Sequence, residues 1–130
     1  MKINDVQHIA INTLNIEKSI EFYTKILKFE LINKVDIGEL VLVYIKIKEN
    51  TFIELFDLKG ACEKGEATEN QQGLRHIAFD VEDIEAWNEH LKANDVKFVV
   101  ELCEFGPIGK NVLLIEDPNG AVIELCEDAK

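Results

Sequence analysis

The chain is 130 residues long and sets 14 Lys and Arg against 25 Asp and Glu, a formal net charge of −11 at pH 7. That sign is wrong for a protein that neutralises phosphates along a nucleic acid, so nucleic acid is excluded as the main partner. The length suits one domain that buries roughly two-thirds of the surface of its unfolded chain. The three cysteines, Cys62, Cys103 and Cys126, are irregularly spaced and form no CxxC, which indicates neither a disulfide framework nor a zinc ribbon. No apolar run approaches the roughly eighteen residues of a membrane span, and the N-terminus lacks the look of a signal peptide, so the expectation is a cytoplasmic protein with no membrane partner.

Residues 4–13 read as a strand with Ile9 and Ile11 on one face and Val6, His8, Ala10 and Asn12 on the other. Asn15 is placed to cap a helix in which Ile16, Ile20, Tyr23, Ile26 and Leu27 recur at helical spacing. Strands follow at 29–35, at 40–48 with Val41, Val43, Ile45 and Ile47 toward the helix, and at 52–57 with Ile53 and Leu55 toward the helix and Glu54 away from it. The segment 58–73, without periodicity, reads as a solvated connection, a lid being the alternative. The order then repeats: a strand at 74–82, a helix from an Asp83 cap to Asn94, a strand at 96–104, and a hairpin turning at Asp117-Pro118-Asn119-Gly120. Gly106-Pro107-Ile108-Gly109 reads as a structural turn, or else as a loop that closes over a ligand. His90, beside Glu89 and without a counterpart in the first half, reads as a surface residue.

The two halves repeat in residues as well as in order. Laying His76 on His8 superposes Ile77 on Ile9, Ala78 on Ala10, Ile84 on Ile16, Glu85 on Glu17 and Glu89 on Glu21. With the offset grown by two residues, Val122-Ile123-Glu124-Leu125 falls on Phe52-Ile53-Glu54-Leu55. The domain is therefore expected to be α+β, two tandem βαβββ modules over about 1–58 and about 73–130 joined by a linker over about 59–72.

His8, Glu54, His76 and Glu124 are ionisable residues inside otherwise apolar pentapeptides, and a buried charge is costly unless it is paired or bound to metal. Strand parity puts all four on the faces opposite the helices, where they are expected to meet in one cleft. The same parity lines that cleft with Ala10, Asn12, Leu42, Tyr44, Phe52, Phe56, Ala78, Val112, Leu114, Val122 and Cys126, an apolar pocket with a charged centre. Two imidazoles and two carboxylates balance one divalent cation, and this N/O set suits Ni, Co, Zn, Fe or Mn without choosing among them. Such an ion acidifies a C–H beside a carbonyl and holds the enediolate, while a carboxylate carries the proton.

His-Ile-Ala followed by Ser19-Ile20-Glu21-Phe22-Tyr23, Asp-Pro-Asn-Gly at 117–120 and Ile-Glu-Leu in both halves together resemble the vicinal oxygen chelate superfamily over nearly the whole chain. Within it the four-residue set is most similar to glyoxalase I, the metal-dependent lyase that isomerises the hemithioacetal of methylglyoxal and a thiol. That resemblance implies Glu124 as the principal base, Glu54 as its counterpart, a small-molecule substrate and a homodimer, with each cleft built within one chain or between two. Alternatives implied by the same resemblance are a methylmalonyl-CoA epimerase-like enzyme, whose family usually has Gln at Glu54, and a non-catalytic antibiotic-binding protein, which usually lacks the ligands. Extradiol dioxygenases of the superfamily leave the position of Glu54 free. Glutathione-dependent relatives usually place an Arg and an Asn where this chain has Asn12 and Leu58, which implies that glutathione is a poor thiol here.

Overall fold

The computed structural model describes residues 1–65 and 72–130, and the chain divides into two compact units, Met1–Gly65 and Glu66–Lys130. Each unit holds a four-stranded mixed sheet and one helix, so the fold is α+β with two tandem βαβββ modules. In the first unit β1 (His8–Thr13), α1 (Ile16–Glu21), β2 (Glu30–Asp36), β3 (Val41–Lys48) and β4 (Thr51–Asp57) give the sheet order β1-β4-β3-β2, with β1 parallel to β4 and the other pairs antiparallel. In the second, β5 (Ile77–Asp80), α2 (Ile84–Ala93), β6 (Phe98–Phe105), β7 (Lys110–Glu116) and β8 (Val122–Asp128) repeat the order as β5-β8-β7-β6, with β5 parallel to β8. The connection expected at 59–72 lies partly outside the described residues, and so does the 58–73 lid considered for it.

Alternation of side chains along the strands sorts the two faces of each sheet. Val43, Ile45, Ile53 and Leu55 are fully buried, as are Leu113, Ile115 and Ile123, with Leu125 nearly so. Each such side chain contributes about 1.5–3 kcal/mol of burial. α1 packs on β4, and α2 packs on β7 and β8, which explains why these strands carry Ile, Leu and Val at every second position. The outer strand β2 is exposed along its whole length and carries an irregularity between Leu31 and Asn33, a position where a sheet edge tolerates a bulge.

Three expectations are corrected. β1 and β5 are shorter than the 4–13 and 74–82 read from the sequence, because pairing begins only where a partner exists: Phe52 N–H donates to Gln7 O at 2.9 Å, and Val6 is exposed. The first helix does have its Asn15 cap, whose side chain accepts from Lys18 N–H at 3.0 Å. Its buried stripe, however, is Ser19, Phe22, Tyr23 and Leu27, while Ile16, Ile20 and Ile26 are only half-buried. The cause is a π-helical turn over Phe22–Ile26, in which Leu27 N–H reaches back to Phe22 O at 3.0 Å and shifts the phase of the stripe. His90 is half-buried, its ring set edge-on to Trp87 at 5.8 Å rather than free on the surface.

The second helix starts at its Asp83 cap, which accepts from Ala86 N–H at 3.2 Å. Glu127 of β8 reinforces that start by accepting from Asp83 N–H at 2.8 Å, a carboxylate at the positive end of a helix. The β7–β8 hairpin turns on Asp117, whose Oδ1 accepts from Asn119 N–H and Ala121 N–H, both at 2.8 Å. Gly120 takes φ +83° there, a conformation that side chains resist. Gly106–Ile108 forms a single 3₁₀ turn closed by Gly109.

Candidate metal-binding pairs

In the first unit, cross-strand register defines the face turned away from α1. His8 lies opposite Phe52, Ala10 opposite Glu54 and Asn12 opposite Phe56, while Tyr44 faces Glu54 from the other side and Lys46 faces Phe52. His8 is therefore one same-face step from Glu54, and its Nε2 approaches the carboxylate Oε2 to 3.2 Å. The carboxylate is 7% exposed and the imidazole 43%. His8 Nδ1 donates to the side-chain oxygen of Gln7. With the ring proton placed on Nδ1, Nε2 is the nitrogen left to ligate a metal ion beside the carboxylate.

The second unit repeats the geometry. Ala78 and Leu114 lie opposite Glu124 from β5 and β7. His76, the residue before β5, brings Nε2 to 3.0 Å from Glu124 Oε2, with the imidazole 28% and the carboxylate 17% exposed. The surroundings differ at both ends of the pair. Among the described residues His76 Nδ1 is buried without a hydrogen-bond partner; the Arg75 side chain, in the place of Gln7, has only donors and no acceptor to offer it. Leu114 stands where the first unit has Tyr44.

Tyr44 is fixed by its neighbours. Its ring packs edge-on against Phe52 with centroids 6.5 Å apart. Burial, then the charge and hydrogen bond of Glu54, push its phenol above the usual value. Sequence parity put Tyr44 in the lining but did not place it directly across the ladder from Glu54. Gln7 was missed altogether, because strand alternation sends it to the face opposite His8 and so does not bring the two side chains together.

Of the remaining expected lining, Val112 is buried and Cys126 is half-buried opposite Val112 and Asp80. The Cys126 thiol donates to Phe79 O at 3.5 Å, and burial, followed by the Glu124 charge, pushes it up, so it is a protonated thiol rather than a nucleophilic thiolate. The Lys110 ammonium is held by Asp128 at 2.5 Å, a bond that also raises its pKa.

The donor set fits a divalent ion at the level of each pair. Two donors about 2.1 Å from one ion and at right angles to it lie about 3.0 Å apart, which is the separation of imidazole nitrogen and carboxylate oxygen in both units. Among the described residues, no group of three or more His, Cys, Asp or Glu side chains is assembled to hold a metal ion. The structure thus brings the four expected ligands together as two pairs, one per unit.

The β1/β4 pair with His8 and Glu54, and the β5/β8 pair with Glu124 and with His76 just before β5, define a duplicated module, and residues 5–125 match the family described as Glyoxalase/Bleomycin resistance protein/Dioxygenase superfamily. The chain belongs to that superfamily. It is 34% identical to a probable lactoylglutathione lyase of Synechocystis sp., over 92% of each chain. It is also 29% identical to the mitochondrial methylmalonyl-CoA epimerase of Dictyostelium discoideum, over 96% of this chain and 79% of that one. The crystal structure of a glyoxalase family protein from Enterococcus faecalis is similar with a TM-score of 0.81 at 27% identity, over 98% of this chain and 100% of that one.

Proposed function

We propose that the protein is a metal-dependent, glyoxalase I-like lyase acting on a small carbonyl or hemithioacetal substrate through an enediolate. The observation that carries this reading is the recurrence, in both units, of a His–Glu pair at 3.2 and 3.0 Å on the sheet face opposite the helix. His8, Glu54, His76 and Glu124 would hold one divalent ion when the two pairs combine, within one chain or between the units of two chains in a homodimer. The ion supplies Lewis acidity toward a substrate carbonyl and offsets the negative charge that develops on its oxygens.

The chain's own residues do the rest. Glu124 takes the proton from the carbon next to the carbonyl and returns it to the neighbouring carbon, from a position between Ala78 and Leu114 on its sheet. Glu54, as the symmetry-related counterpart, would serve the other side of the same carbon framework. His8 and His76 would hold the ion beside the two carboxylates. Phe52, Phe56 and Leu42 of the first unit and Val122 of the second would supply the apolar lining that a small substrate needs. The three cysteines are free, which fits a reducing compartment such as the cytoplasm.

An epimerase acting on a carboxyacyl thioester is the second reading, favoured by the match to the Dictyostelium enzyme. It uses the same proton transfer next to a carbonyl, but returns the proton to the opposite face of one carbon. Metal analysis of the wild type beside His8→Ala and His76→Ala tests the metal reading. About one divalent ion per chain is expected in the wild type, and undiminished metal in both variants would remove the site. A screen of methylglyoxal with several thiols, run beside methylmalonyl-CoA, separates lyase from epimerase.

A further inference from the structure

The two His–Glu pairs share a backbone frame but not their supports. In the first unit the pair has a polar neighbour at each end: Gln7 Oε1 lies against His8 Nδ1, and Tyr44 stands directly across the ladder from Glu54, whose charge and hydrogen bonding help to raise its phenol. In the second unit His76 Nδ1 has no partner among the described residues, and the residue across from Glu124 is Leu114, whose side chain has no hydrogen to donate. Duplication would have produced equal environments, and the difference lies in two side chains.

Tyr44 is well built to restrain a carboxylate. Its strand position directly opposite Glu54 places the two side chains on one face at the closest spacing that a sheet offers. The edge-on contact with Phe52, which is itself opposite His8, removes ring freedom. An O–H donor held this way fixes which carboxylate oxygen is left to meet His8 Nε2.

We propose that Tyr44 is a positioning residue whose hydroxyl locks the Glu54 carboxylate in one orientation, making Glu54 the fixed member and Glu124 the movable member of the two symmetry-related carboxylates. The proposal rests on the reading of Glu54 as a metal ligand. It gives a physical reason for the two glutamates to divide their tasks, since a carboxylate that must carry a proton between carbons needs freedom that a tyrosine-bound one lacks.

The test is titration of metal-stripped protein with Co²⁺, whose visible absorption reports the geometry of its ligands. Removing the hydroxyl in Tyr44→Phe keeps the ring against Phe52. It should weaken Co²⁺ binding by about tenfold or more, the range for loss of an outer partner of a metal ligand, and alter the absorption bands, with apo thermal unfolding near that of the wild type. Tyr44→Leu, which copies Leu114, should weaken binding to a similar degree. Wild-type affinity and spectrum in Tyr44→Phe would overturn the proposal while leaving the metal reading intact. Loss in Tyr44→Leu alone would also overturn it, because ring packing rather than the hydroxyl would then be responsible. A wild-type protein that takes up no Co²⁺ would overturn the metal reading and this proposal with it.

Discussion

Asp117 sets the turn that brings β8, and with it Glu124, into register with β7, and its replacement by Ala has a cost that can be worked out. Asp117 is 5% exposed. One carboxylate oxygen accepts from Asn119 N–H and Ala121 N–H at 2.8 Å each, and the other accepts from Asn119 Nδ2 at 3.1 Å. Hydrogen bonds to a charged group contribute about 1.5–3 kcal/mol net. Because the two backbone bonds share one oxygen and the loop relaxes partly toward water, Asp117→Ala should lose about 2–4 kcal/mol rather than the full sum. That corresponds to a fall of roughly 10 °C in unfolding midpoint for a chain of this size. Asp117→Asn keeps an acceptor oxygen and should lose about half as much. Urea unfolding followed by fluorescence of Trp87, the chain's one tryptophan and a residue of the second unit, reports the relevant part of the molecule. A loss below about 0.5 kcal/mol in Asp117→Ala, or equal losses in the two variants, would refute the reasoning.

Glu124→Gln should retain metal, since the amide keeps an oxygen ligand, yet lose at least roughly a hundredfold in turnover; full activity in the metal-loaded variant would end its role as base. Glutathione should be a poor thiol, because Asn12 and Leu58 offer no guanidinium for its carboxylates and Lys110 is already bound to Asp128. A kcat/KM above about 10⁶ M⁻¹s⁻¹ with glutathione would contradict this. The backbone N–H of Gly38, helped by Lys59, holds Asp36 below the usual carboxylate range. Its contribution to stability is present above the ordinary Asp value and is lost as pH falls through the depressed folded one. NMR titration should find the Asp36 midpoint higher in Lys59→Met than in the wild type, and an unchanged midpoint would remove Lys59 as a cause.

How much of this was legible beforehand follows from what alternation encodes. The repeat of Ile53-Glu54-Leu55 and Ile123-Glu124-Leu125 placed both glutamates opposite the core faces, and the buried neighbours of Glu54 show why the period is so strict. His8 and His76 followed from their register with the same strands. The π-helical turn was illegible, because Ile16, Ile20, Phe22, Tyr23, Ile26 and Leu27 satisfy either phase of helical spacing, and packing on β4 chooses between them. Gln7 escaped because its contact to His8 runs between sequence neighbours, which alternation sends to opposite faces of a strand. Tyr44 was placed correctly but read as lining, since spacing says where a ring lies and nothing about what its hydroxyl meets.

In both units the first strand ends up parallel to the last, with His8–Thr13 against Phe52–Asp57 and Ile77–Asp80 against Ile123–Cys126. The strand that opens a unit therefore waits for the strand that finishes it. Closing about forty intervening residues costs about 3 kcal/mol in chain entropy before the pairing returns anything, so this step should come late and slow the folding of each unit. On the ribosome, β1 stays unpaired until β4 has emerged, its Ile9 and Ile11 open to mispairing in the interval. The His8–Glu54 contact forms in that same final closure, and a ligand binding there favours only units whose two ends have already met.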